Sequence, residues 1–87
     1  MLSMKPGDLV RMRGGACYDS PVNYHEPAQA IRHYVGLATE GTTGVILHVN
    51  PVFYADGTTA AGWCHVLTEG RAVWVLSASL TKQYETL

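Results

Sequence analysis

Apolar residues in this chain come in short alternating runs, separated by glycine, proline and small polar residues, the pattern of strands and turns. The clearest stretch is Gly62-Trp-Cys-His-Val-Leu-Thr-Glu-Gly-Arg-Ala-Val-Trp-Val-Leu-Ser-Ala-Ser-Leu80. It predicts a strand over 63–68, a turn at Glu69-Gly70-Arg71, a second strand over 72–76, a single helical turn at Ser77-Ala78-Ser79 and a closing strand over 81–85. Upstream, Pro6-Gly7 punctuates the chain and residues 8–13 predict a first strand, with Val10 and Met12 on one face. Gly14-Gly15 ends it. Val45 to Val49 predicts the strongest strand, because three of its five residues are β-branched, and Asn50-Pro51 stops it. Val52 to Ala55 extends the ribbon to a hairpin turn at Asp56-Gly57. The alternation places Val10, Val45, Leu47, Val66, Val75 and Leu80 in the core.

Residues 16–40 lack clear strand signals, and a structureless loop of that length is unusual in a small domain. Pro27 to Tyr34 predicts two helical turns, with Pro27 in the first turn and Gly36 past the end. The segment also carries Tyr18, Val22, Tyr24, Ile31, Tyr34, Val35 and Leu37, which a purely solvated loop would not.

The 87 residues suffice for one small domain, residues 1–87. About five antiparallel strands with a long first connection predict an all-β fold, and a closed or nearly closed small barrel would solve the edge problem of such a sheet. Six Lys and Arg stand against seven Asp and Glu, a net charge of −1, so the basic field that phosphate binding needs is lacking. The same balance argues against an anionic membrane surface. No apolar run reaches the length of a bilayer span, and the opening Met1-Leu-Ser-Met-Lys-Pro-Gly7 lacks the plan of a signal peptide. Only 15% of the residues are charged, which on an apolar-rich chain points to burial in an assembly. Cys17 and Cys64 are expected to be reduced thiols of a cytosolic product.

Pro6-Gly-Asp-Leu-Val10, Gly41-Thr-Thr-Gly-Val-Ile46 and Gly70-Arg-Ala-Val-Trp-Val75 with Leu80, in this order, resemble the small SH3-like barrel proteins of tailed bacteriophages. The resemblance covers the first four expected strands but not residues 16–40, which read as an elaborated first loop. It implies an SH3-like barrel and a virion structural protein that binds another component of the capsid, neck, tail or baseplate. Two sister groups are similar. In SH3 domains that bind proline-rich peptides, Trp63 would match a ligand-binding Trp, but Leu76 stands where they keep a Pro and Ser79 where they keep a Tyr. The KOW-type barrels resemble the chain through Gly-Asp-x-Val and Gly-Thr-x-Gly-Val-Ile, which gives a nucleic-acid-binding module as the alternative. Their basic loops are missing here, where Lys and Arg are scattered over positions 5, 11, 13, 32, 71 and 82. A phage effector that binds a host protein is a third reading.

Chemistry is poorly supported. His25, His33, His48 and His65, with Cys17, Cys64 and Glu26, show no metal-finger spacing. Cys64 sits inside a strand, where a small apolar core residue belongs, with no helix N-terminus beside it to activate a thiolate. No catalytic residue, metal site or cofactor is therefore expected. The aromatics are more informative. Tyr18, Tyr24, Tyr34, Tyr54 and Trp63 lie on or near the first loop and the third strand, and Tyr and Trp are favoured interface anchors. Tyr18, Tyr24, Ile31, Tyr34 and Trp63 are the expected protein-binding residues, in contact with a protein partner or a second copy of the chain.

Overall fold

In the computed structural model, residues 4–22, 26–53 and 59–83 are described, without the side chains of 51–61. Tyr24, His25, Tyr54, the Asp56-Gly57 turn and the end of the expected last strand at Tyr84 and Glu85 lie outside the described residues. The element order is β1 (Leu9–Met12), β2 (Gly15–Tyr18), α1 (Pro27–His33), β3 (Tyr34–Ala38), β4 (Thr43–Phe53), β5 (Thr59–Thr68), β6 (Arg71–Leu76), a 3-10 turn (Ser77–Ser79) and β7 (Leu80–Lys82). The fold is mostly antiparallel β. Among the described residues the strands form one open sheet in the order β3-β2-β6-β5-β4-β1-β7.

The β5–β6 hairpin sets the register of its middle. Glu69 and Gly70 both have positive φ, 50° and 78°, and a two-residue loop of that hand matches the twist of the strands it joins. Thr68 therefore faces Arg71, His65 faces Trp74 and Trp63 faces Leu76. Arg71 belongs to the strand rather than to the turn. The helical turn after β6 forms as the sequence predicts, and β7 returns beside β1, pairing Met12 with Leu80.

One cluster fills the inner side of the sheet: Val10, Met12, Cys17, Ile46, Cys64, Val66, Val73, Val75 and Leu80. Val10, Val66, Val75 and Leu80 are thus core residues as expected. Val45 and Leu47 are not; they are 37% and 43% exposed, and Ile46 between them is the buried residue. Two features displace the pattern. Gly44 lies where β4 passes so close to β5 that a Cβ would come 2.6 Å from Val66 Cγ1 and 2.8 Å from the Leu67 carbonyl oxygen, so the inward position before Ile46 must be a glycine. After Ile46 the ladder slips: Ile46 faces Val66, but His48 faces His65, leaving Leu47 as an extra residue. Such a bulge adds one residue to one strand and bends it.

Residues 15–38 add two strands to the expected five. β2 pairs with β6 through Tyr18 and Trp74, and with β3 from Gly15↔Ala38 to Tyr18↔Tyr34. The helix expected over Pro27–Tyr34 is present as α1, with proline in its first turn. Gly36 does not cap it. It lies inside β3 at φ 144°, beside the irregular step that leaves Val35 unpaired.

Candidate protein-interaction face

Strand alternation puts His65 and Leu67 on the side of β5 opposite the buried Cys64 and Val66, and Ala72 and Trp74 on the side of β6 opposite Val73 and Val75. Strand pairing then carries one row of side chains across five neighbouring strands. Tyr34 of β3 faces Tyr18 of β2, which faces Trp74 of β6, then His65 of β5 and His48 of β4. Ring contacts form two groups along this row, Tyr34 with Tyr18 and Trp74 with both histidines. Tyr34 meets Tyr18 edge-on at 6.0 Å. Trp74 stacks flat on His65 at 4.5 Å, and His48 meets Trp74 edge-on at 6.0 Å. Offset stacks and edge contacts are the arrangements that aromatic quadrupoles favour.

A second row runs alongside. Leu9 of β1 faces Val45 of β4, which faces Leu67 of β5, which faces Ala72 of β6. Leu9, Val45 and Leu67 are all exposed. The extra residue Leu47 adds a further exposed side chain beside His48. No Asp, Glu, Lys or Arg falls in either row. The rim beyond β1 is polar, where the Gln83 amide, oriented with its oxygen towards Arg11, accepts from Nε at 3.1 Å and Nη2 at 2.9 Å.

Of the residues expected to bind protein, three are in contact. Tyr18 sits between Tyr34 and Trp63, its ring 5.3 Å from the indole of Trp63 and edge-on to it. Trp63 is only 4% exposed and stands outside the inner core cluster, as does the buried Val22. Trp63 is therefore packed against Tyr18 and is not itself displayed. Tyr34 is 42% and Ile31 76% exposed. Ile31 of α1 joins them, since Tyr18, Ala30, Ile31 and Tyr34 line an apolar hollow of about 300 Å³. Tyr24 lies outside the described residues. The first loop also reaches inward, because its Cys17 belongs to the core.

Trp74, His65 and His48 were not among the expected residues. The signal for two of them was the two-residue turn. Counting back from Thr68 and forward from Arg71 sets His65 against Trp74 without any structure. The alternation that puts Val45 and Leu47 inside gives His48 the outer side, but by a register that would also turn Ile46 outward, and the bulge at Leu47 is what keeps both Ile46 inside and His48 outside.

The reactive side chains have structural tasks. His33, Asp19 and Ser20 form a cluster at the end of α1: His33 Nδ1 lies 2.9 Å from Asp19 Oδ1 and 2.9 Å from Ser20 Oγ. A Ser-His-Asp relay needs Ser and Asp on opposite ring nitrogens. Here both sit on Nδ1, so the ring cannot pass a proton from one to the other. The cluster, with the Asp19 N–H donating to the His33 carbonyl at 2.8 Å, ties the end of α1 to the end of β2. Both cysteines are free and buried. Burial pushes the thiols of Cys17 and Cys64 up, and for Cys17 the charge of Arg71 opposes this in part. Neither is poised as a thiolate. Among the described residues no group of three His, Cys, Asp or Glu side chains is arranged to hold a metal ion, and no helix is long and apolar enough to cross a membrane.

In comparisons with known proteins, no family model matches the chain and no similar curated protein or solved structure is found.

Proposed function

We propose that the chain is a non-enzymatic protein-interaction module, a bacteriophage virion protein that applies its uncharged outer face to another component of the capsid, neck, tail or baseplate. The observation that supports this best is the pair of adjacent rows, Tyr34-Tyr18-Trp74-His65-His48 and Leu9-Val45-Leu67-Ala72, which together form an exposed face without a formal charge across the sheet. Faces of that kind, aromatic at the centre and polar at the rim, are what protein partners bury. The flat Trp74–His65 stack supplies a pre-ordered anchor, so little side-chain freedom is lost on docking.

An SH3-like fold is part of the proposal. It is supported by the consecutive order β6-β5-β4-β1-β7, by the long excursion between β1 and β4, and by the 3-10 turn that joins β6 to β7. The virion assignment rests on the resemblance of the strand motifs to phage barrel proteins; the fold by itself carries no role.

Mass spectrometry of purified particles of the phage that encodes the chain tests the assignment. The protein should be present in fixed stoichiometry, and a Leu67→Lys variant that folds should be lost from particles. Absence of the wild-type protein from particles overturns the virion role. Normal incorporation of Leu67→Lys overturns the use of this face.

A further inference from the structure

The two edges of the sheet are built differently. β7 spans three residues, and its Lys82 is held to Asp8 with Nζ 3.2 Å from Oδ2. Short strands and charges are how sheets blunt an edge against pairing. β3 has neither. It runs Tyr-Val-Gly-Leu-Ala without a charge or a proline, Val35 and Leu37 are 40% and 74% exposed, and among the described residues only β2 lies beside it. Its outer N–H and C=O groups call for one kind of occupant, another extended backbone.

We infer that this occupant is β3 of a second copy, paired antiparallel so that two sheets become one. Charge selects the partner and the direction. Arg32 precedes β3 and Glu40 follows it, both exposed and neither ion-paired within the chain among the described residues. Antiparallel self-pairing brings the basic end of each strand to the acidic end of the other, whereas parallel pairing would set like charges together. The irregular step at Val35 leaves Gly36–Ala38 as the regular part of the ladder, so the two-fold axis falls beside Leu37. There each outward Leu37 meets its own copy, and Gly36 lies opposite Ala38 of the second copy. With a two-fold axis perpendicular to the sheet, both outer faces lie on one side of the joined sheet, and the dimer offers its interaction face twice.

Two five-residue edges make a small interface, so the dimer should form with rising concentration. Sedimentation equilibrium of the full chain should show the mass climb from 9.5 kDa towards twice that value. Leu37→Lys should weaken association by about tenfold or more, because it puts two like charges at the axis. Arg32→Glu and Glu40→Lys should each weaken it by about threefold, and the double variant should recover most of the loss. Amide exchange over residues 35–38 should slow as the wild-type concentration rises. Trp74→Ala should dimerise like wild type, which separates this pairing from the binding role of the outer face. A monomer at every concentration overturns the inference, and so does a dimer that is indifferent to Leu37→Lys and to both charge reversals.

Discussion

His65 lies flat on Trp74, the two ring planes 4° apart and their centroids separated by 4.5 Å. They are directly opposed on β5 and β6, with His48 closing against the edge of the indole. Stacking of this kind is worth about 1 kcal/mol beyond burial. Trp74→Ala should therefore lower stability by about 2 kcal/mol, the stack plus part of the indole's apolar contact. Urea denaturation should still show one cooperative transition, since Trp74 is not a core residue. Loss of the transition would mean that the outer face helps to hold the fold.

The β4 register makes three neighbouring substitutions unequal. Ile46→Asp should unfold the chain, because a buried unpaired carboxylate costs several kcal/mol against a total stability of about 5 kcal/mol or a little more. Val45→Asp and Leu47→Asp, at exposed positions on either side, should leave a folded domain within about 1 kcal/mol of wild type. Thermal melts of the three proteins check this. A folded Ile46→Asp would refute the register.

Gly44 and Gly41 should differ for separate reasons. At Gly44 a methyl group meets the Leu67 carbonyl, which is backbone and cannot swing away, so Gly44→Ala should cost about 3 kcal/mol. At Gly41 there is open space but φ is +91°, so Gly41→Ala should cost about 1 kcal/mol, the strain of that backbone alone. Chemical denaturation of both variants gives the comparison.

Alkali should destabilise the protein through its thiols. Cys17 and Cys64 have pKa values raised above the ordinary 9.0 by burial. Between the unfolded and folded values the folded state holds more protons, so stability falls as pH rises. The stabilisation is complete below about pH 8 and should fall above pH 9 by up to about 1.4 kcal/mol per pH unit for each thiol. The Cys64→Ala variant should show a shallower decline between pH 9 and 10.5 in urea titrations, if roughly one titrating group is removed. An unchanged slope would show that Cys64 does not contribute.

Strand positions were legible in the sequence wherever a turn of definite chemistry bounded them. Glu69-Gly70 gave β5 and β6 with their register, and Ser77–Ser79 gave the break before Leu80. β2 and β3 were hidden because Gly15, Ala16, Gly36 and Ala38 have low strand propensity; they extend by pairing with each other and with β6. The core of β4 was misread because Val45, Ile46 and Leu47 are all apolar, so alternation has no polar residue to fix the face. Of the outer face, Tyr18 and Tyr34 were found through their residue type. Trp74 and His65 were reachable only by counting across the hairpin, and joining His48 to them required its pairing with His65 across the bulge.

Leu47 is the one residue of its neighbourhood that the ladder does not count. Ile46 before it and His48 after it keep their partners on β5 as if they were adjacent. Removing Leu47 would turn an irregular step into an ordinary one and leave Ile46 and Val49 facing inward. A change in chain length, which elsewhere in a strand reverses every side chain beyond it, would here alter only the surface. The position is thus a place where descendants of this sequence can lose or regain a residue, and retune what the outer face recognises, without renegotiating the core.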